Sequence, residues 1–428
     1  MESLEKQSPE KIAAYQHRAL TEQLKYVAEK SGYYQAVFRE HHINVEDIQS
    51  IEDLASLPFT TKDDLQKHQH EFYCVGKDKI IDYAATSGTQ GQPVTIPQTD
   101  KDLERLAYNE ARSLRIAGGS GEDIFQLTTT INKQFMAGLA YFLGIRLMGA
   151  GVVRVGSGAI PLQWHTILNM KPTALIVVPS FLVKMIEYAE KNGIDLKNIS
   201  VKRAVCIGEP IRRPDFELNS LGRRIKQSLD IDLYSTYASS EMATAFTECE
   251  AGRGGHHQPD LIIAEIIDEQ GRQVADGTPG ELVITTLGLE AMPLVRFRTG
   301  DICARHSDKC SCGRNTFRLG PVIGRKNQMI KYKGTTLYPP IIFDVLNAFS
   351  WIKAYQIQLR TDALGNDEIV VKINEITVVE LDMLKEEFGS KLRVRPVIEM
   401  MAMDELHKII FKEGIRKPVN FSDLRHLN

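Results

Sequence analysis

Four groups of residues in this 428-residue chain are of types that could do chemistry together. The first is Ala85-Thr86-Ser87-Gly88-Thr89-Gln90-Gly91-Gln92-Pro93, where hydroxyls and glycines are dense enough for N–H and O–H groups to wrap a polyphosphate. It is not a P-loop, which requires a lysine and then a hydroxyl residue where Gln92-Pro93 stands. A flexible turn would have the same composition. The second is Tyr237-Ala238-Ser239-Ser240-Glu241, in which a ring could stack a nucleobase while the carboxylate holds a divalent cation near phosphates. A surface glutamate at a helix start reads the same way. The third is Arg296-Phe297-Arg298-Thr299-Gly300-Asp301, whose acidic residue after a glycine turn could accept both hydroxyls of a ribose or could serve only the turn. The fourth joins Cys310-Ser311-Cys312-Gly313 to Cys249 and the glycine-rich Gly252-Arg253-Gly254-Gly255-His256-His257. Three thiolates and one imidazole make a closed tetrahedral set suited to structural Zn²⁺, with no open position for catalysis. Free cysteines or a redox pair are the other readings.

Hydrophobic spacing sets the helices and strands that carry these groups. Ile12, Tyr15, Leu20, Leu24 and Val27 recur at helical intervals between about Pro9 and Phe38, with Ser31-Gly32 breaking the pattern. Thr60 or Thr61 is an N-cap before an acidic first turn. From about residue 80, short apolar runs (Ile80–Tyr83, Ile124–Leu127, Gly151–Val155, Ala174–Val178, Val201–Ile207) alternate with helical patterns, which predicts an α/β fold with a largely parallel sheet. Leu261–Asp268 and Gly280–Thr286 read instead as an antiparallel β-meander subregion whose two ends a metal would staple. After Gly324-Arg325-Lys326-Asn327 a compact α+β pattern restarts, with strands at Met329–Lys333, Ala354–Arg360 and Glu368–Ile373 and helices at Ile341–Phe349 and Val378–Phe388. The expected division is a large α/β domain over residues 1–325 and a small α+β domain over residues 326–428.

Composition excludes several classes. Apolar residues make up 43% and charged residues 25%, ordinary for a globular protein, and the net charge of -3 gives no polyanion footprint. A zinc-ribbon protein binding nucleic acid would also need a basic, aromatic stripe around Cys310, and none is there. No run approaches the roughly 18 apolar residues of a membrane span. The polar start Met1-Glu2-Ser3-Leu4-Glu5-Lys6-Gln7 is no signal peptide, and six cysteines are too few for a disulfide scaffold, so the expected compartment is the cytoplasm.

Taken in order, the Ser/Thr/Gly loop, Gly208-Glu209-Pro210, Tyr-x-x-Ser-Glu, Thr-Gly-Asp and Gly-Arg-Lys-Asn-Gln make a pattern that resembles the phenylacetate–CoA ligase family of adenylate-forming enzymes, from about residue 50 to the C-terminus. The resemblance implies that Ser87, Gly88, Thr89, Gln90 and Gly91 hold the β- and γ-phosphates of ATP. It implies further that Glu209 and Pro210 line the adenine pocket, that Tyr237 stacks on the base, and that Ser240 lies by the α-phosphate. Glu241 would bind Mg²⁺, Asp301 the ribose hydroxyls, and Arg325 ribose or phosphate. Asn327 takes the hinge position, more often acidic or lysine in the superfamily. The usual Gly-Lys pair of the C-terminal loop is missing from Phe411-Lys412-Glu413-Gly414-Ile415-Arg416-Lys417-Pro418-Val419. Counting back from Asp423 makes Lys417 the catalytic lysine, with Lys412 its competitor.

The family's Gly-x-His position matches His256 rather than His257, which gives Cys249, His256, Cys310 and Cys312 as the zinc ligands. The acyl pocket would draw on Phe135, Ala137, Gly138, Ile207 and Gly208, with Phe135 placed to stack an aryl ring unless it is plain core. The implied activity is an ATP-dependent acid–CoA ligase working through acyl-AMP, with ATP, Mg²⁺, coenzyme A and structural Zn²⁺ as its cofactors. Its partners are a small carboxylic acid, aryl or arylacetic, with neither nucleic acid nor membrane; a homodimer is compatible. An adenylating enzyme that passes the acyl group to an amine, alcohol or protein thiol is the alternative.

Overall fold

The computed structural model describes residues 3–86, 93–332, 335–361, 367–412 and 418–425. Helices Pro9–Lys30 and Gly32–Glu40 meet at Ser31, which ends the first and caps the second by accepting from Tyr34 N. Of the two threonines, Thr61 is the N-cap, in a reciprocal capping box with Asp64, whereas Thr60 is buried with its hydroxyl on Val295 O.

Among the described residues the central sheet has nine strands. Its parallel half runs Gly151–Arg154, Ile124–Leu127, Ala174–Val177, Arg203–Cys206, Asp232–Ser239, joined by helices such as Met136–Met148 and Pro179–Lys191. Its antiparallel extension continues through Thr244–Thr247, Gly255–His256, Arg318–Leu319 and Arg305–His306. Strands that are apolar throughout, such as Ala174–Val177, are buried from both faces, as a parallel sheet between helices requires. The meander forms a second, antiparallel sheet of Ile262–Ile267, Gly280–Thr286, Phe297–Cys303 and Gly324–Arg325. The strand expected at Ile80–Tyr83 lies at Asp82–Ala85, in a hairpin with Thr95–Gln98.

After Arg325 the chain builds a core that, among the described residues, uses none before Ile330. A sheet ordered Val397–Met401, Asp367–Asn374, Tyr355–Thr361, Phe421–Asp423 packs on helices Pro339–Asn347, Val378–Leu392 and Met403–Ile410. This unit docks on the large sheet's helices by polar contacts: Asp344 Oδ1 accepts from Ser220 N at 2.6 Å, and Lys353 pairs with Glu187 at 3.1 Å. The junction is held mainly by charge. Lys326 reaches Glu281 at 3.2 Å, and Arg298 Nε donates to the same carboxylate at 3.0 Å. Gly324 is required there, because a Cβ would sit 2.4 Å from the Tyr338 side chain.

Candidate functional site

Three of the singled-out residues, distant in sequence, share one hydrogen-bonded group. Tyr237, from the central sheet, donates its hydroxyl to Asp301 Oδ2 at 2.6 Å. Arg325, opposite Asp301 in the meander's ladder, donates from Nε to Oδ1 at 3.1 Å. Gly300 turns with φ +75° and Thr299 Oγ1 accepts from Asp301 N, which aims the carboxylate. Burial and the neighbouring Asp301 charge push the Tyr237 phenol well above its ordinary pKa, so it stays a neutral donor.

Glu241 follows in the turn that joins Asp232–Ser239 to Thr244–Thr247, a hairpin rather than a helix start. Its side chain is 11% exposed, with Oε1 3.8 Å from Lys62 Nζ. A carboxylate oxygen is a hard donor that fits Mg²⁺, an ion that takes one or two carboxylates and completes its shell with phosphates and water. Lys62 escaped the sequence analysis. It lies one residue past an N-cap, where a lysine ordinarily reads as helix surface. Ser240 is half-buried beside Glu241.

Glu209 spends both oxygens on the start of helix Pro179–Lys191, accepting from Ser180 N and Oγ at 2.9 Å. It lines a cavity of about 120 Å³ between the two units, with Arg224, Lys353 and Tyr355. Phe411 and Pro418 are on the same wall. Lys417 lies outside the described residues, as does the loop Ser87–Gly91. That loop's neck is closed by Thr86 N on Val94 O and by Val94 N on Thr86 Oγ1. Pro210 O accepts from Asn219 Nδ2 at 2.7 Å. Asn327 is exposed in the single turn Lys326–Gln328.

Of the residues expected to line an acyl pocket, Ile207 is buried in the core built around Phe125 and Tyr141, and Ala137 packs against the same core. Gly138 has no alternative, since a Cβ would lie 1.9 Å from Thr130 O. Phe135 is half-buried at the start of helix Met136–Met148, just after Lys133 and Gln134 in left-handed conformations. Ala85 N donates to Gln134 O at 2.9 Å, which ties this segment to the strand leading into Ser87–Gly91. Gly208 is exposed with φ +75°. Cys206 is a buried strand cysteine whose thiol burial pushes upward, unfit as a nucleophile.

Cys249, His256, Cys310 and Cys312 bring four ligand atoms within 4.8 Å of one another. Cys312 Sγ stands 3.3 Å from His256 Nε2, and Cys249 Sγ 3.6 Å from Cys310 Sγ. Burial, with Arg314 and Arg318, pushes the His256 imidazole down to about 3, leaving it neutral as a metal ligand must be. His257 points elsewhere, on Ile262 O at 2.6 Å and stacked on Phe317. Soft sulfur and imidazole donors at this spacing fit Zn²⁺. The cluster ties the loops between strands where the chain leaves the central sheet for the meander and where it returns. Its second loop is anchored to the N-terminal turn, Asn315 N donating to Glu5 O at 2.8 Å.

Comparison with known proteins adds three findings. Residues 15–290 match the family model of the AMP-binding enzymes. A phenylacetate–coenzyme A ligase of Thermus thermophilus is 30% identical over 373 residues, which is 86% of this chain and 82% of that one. Among solved structures, 2-hydroxyisobutyryl-CoA ligase in its postadenylation state superposes with a TM-score of 0.84 at 22% identity, covering 98% of this chain and 91% of the other. The same ligase in its thioesterification state gives 0.72 at 23% identity, covering 99% and 92%.

Proposed function

The chain belongs to the AMP-binding enzymes, and within them to the phenylacetate–coenzyme A ligase family, and from that premise we propose an ATP-dependent acid–CoA ligase acting on an aryl or arylacetic acid. A carboxylate oxygen attacks the α-phosphorus of ATP and the bond to pyrophosphate breaks, leaving acyl-AMP. The thiol of coenzyme A then attacks the acyl carbon and AMP leaves. A carboxylate is already a nucleophile at pH 7, so the demand falls on charge stabilisation at the α-phosphate rather than on a general base.

The observation that carries this reading is the Tyr237–Asp301–Arg325 group. Asp301 offers oriented acceptors to ribose hydroxyls, Tyr237 a ring to the adenine, and Arg325 a cation beside them. Glu209 and Pro210 edge the base, Ser240 neighbours the α-phosphate, and Glu241, with Lys62 beside it, holds Mg²⁺ at the phosphates. When bound, Mg²⁺ supplies Lewis-acid neutralisation of phosphate charge. Ser87–Gly91 take the β- and γ-phosphates and Lys417 the α-phosphate. The acid lies against Phe135, Ala137, Gly138, Ile207 and Gly208.

Residues 326–428 form a lid that turns about Asn327 between the two steps, and its polar contacts with the large unit suit reversible docking. Cys249, His256, Cys310 and Cys312 hold structural Zn²⁺. All six cysteines are unpaired, in keeping with a cytoplasmic setting, and among the described residues no helix is long and apolar enough to cross a membrane.

The test is to incubate enzyme, ATP and Mg²⁺ with a panel of aryl, arylacetic and short-chain acids, with and without coenzyme A. AMP release coupled to thioester formation, best with an aryl or arylacetic acid, is the expected result. Acyl-AMP formation without thioester would mean that another acceptor takes the acyl group.

A further inference from the structure

Helix Asp100–Ile116 buries a row of polar residues, Asp102, Arg105, Asn109 and Arg112, at helical spacing. Arg105 is the member with the widest reach. Its Nη1 donates to Ala243 O at 2.8 Å, its Nη2 to Thr244 Oγ1 at 3.1 Å and Leu261 O at 2.6 Å, and its Nε to Leu287 O at 2.8 Å. All four acceptors are uncharged. Burying a guanidinium against uncharged acceptors alone is costly, and burial lowers its pKa to about 10, with Asp102 and Asp260 offsetting part of the effect. It remains a cation at pH 7.

The acceptors lie at two places. Ala243 ends the Glu241 turn, and Thr244 begins the strand after it. Ala243 has φ +44°, a left-handed backbone without the glycine that tolerates it, so something must hold it there. Its N–H closes back on Ser239 O at 3.3 Å, and Arg105 grips its carbonyl. Leu261 and Leu287 flank the end of the meander's first strand pair, Ile262 opposite Thr286. One side chain thus fixes the hairpin bearing Glu241 against the sheet bearing Asp301. We infer that Arg105 is a positioning residue that sets the Glu241 carboxylate for the metal–nucleotide complex. The inference rests on the magnesium role proposed for Glu241.

The test measures Mn²⁺ binding, by electron paramagnetic resonance, to full-length protein saturated with α,β-methylene-ATP, alongside the two half-reactions. Arg105→Lys keeps the charge but not the fork, and residues that hold a metal ligand in place typically cost about 10-fold or more in metal affinity. It should weaken Mn²⁺ binding by about that factor and slow acyl-AMP formation, while thioester formation from supplied acyl-AMP stays within about twofold of wild type. Thr244→Val keeps the shape of its residue and removes one acceptor, so it guards against a folding defect in Arg105→Lys. It should shift Mn²⁺ binding in the same direction by roughly threefold. Wild-type Mn²⁺ binding in both variants, or equal slowing of both half-reactions, overturns the inference. Glu241→Gln separates the two layers. If it weakens Mn²⁺ binding while the other variants do not, Arg105 alone is misassigned. If it leaves binding unchanged, the magnesium role falls and the inference falls with it.

Discussion

The Tyr237–Asp301–Arg325 group and the Cys/His cluster are both assembled by bringing together segments some sixty residues apart. Tyr237 and Asp301 are separated by 64 positions, Cys249 and Cys310 by 61. Loop-closure entropy grows only with the logarithm of length, so the two closures cost nearly the same. What differs is the donor chemistry. The cluster offers four donors, the number one tetrahedral ion takes, and they face one another. Asp301 instead accepts from two donors, one of them Arg325 with a side chain 43% exposed, at the junction of two units. Sets that satisfy themselves make structure, and sets left facing a junction make sites.

The largest expected effect tests the open side of this contrast. Lys417→Ala should slow acyl-AMP formation by about 10²–10³-fold, the usual loss when one electrostatic stabiliser of a developing charge is removed. Thioester formation from synthetic acyl-AMP should be nearly unaffected, because the cation is needed only in the first step. Pyrophosphate exchange reads the first step and coenzyme A consumption the second. Near-normal exchange in Lys417→Ala, with the loss appearing in Lys412→Ala, would move the role to the competitor.

A smaller effect is expected at the junction. Lys326 lies in the turn Lys326–Gln328 and reaches Glu281. A proline at 327 fixes its own φ near -65° and disfavours the helical conformation that this turn gives Lys326. Asn327→Pro should therefore slow one half-reaction about tenfold more than the other, most strongly the thioester step, if the open side works by turning the lid. Equal slowing of both would argue for a single fixed arrangement, and the contrast between open and closed clusters would lose its dynamic half.

Much of the fold was legible because hydrophobic period fixes elements that are buried on a regular face. Ile124–Leu127 appears at its expected bounds, and Ala174–Val178 with one residue fewer. The hairpin strand Asp82–Ala85 was read two residues early because only Ala84 of its four residues is buried, which leaves no alternation to follow. The strand Val397–Met401 went unread for the same reason, none of its residues being buried. The motif residues were legible one by one, but not their joining, since nothing in the spacing says that Arg325 pairs with Asp301. Arg105 was invisible for a different reason. A charged row at helical spacing ordinarily marks a solvated face, whereas here it reads carbonyls at the ends of two sheets.

The closed cluster should affect the chemistry least, because its donors face one another rather than the junction. If Cys249, His256, Cys310 and Cys312 hold one Zn²⁺, purified protein contains about one zinc per chain, measurable by elemental analysis. Structural metal contributes folding free energy, because the unfolded chain has no preformed site. Cys310→Ser replaces a soft thiolate with a poor ligand and leaves three donors. The loop it releases is the one bonded to the N-terminal turn through Asn315 and Glu5, so the damage spreads along backbone contacts rather than toward Asp301. A loss of roughly 2 kcal/mol would lower the melting temperature by about 3 °C in a unit of this size. Folded Cys310→Ser protein at a temperature well below its transition should still form acyl-AMP at close to the wild-type rate. An unchanged melting temperature together with no zinc would mean that the four residues pack as free thiols and imidazole. A large loss of adenylation in protein that stays folded would mean that the cluster reaches the nucleotide side after all. The two groups would then have to be treated as one site.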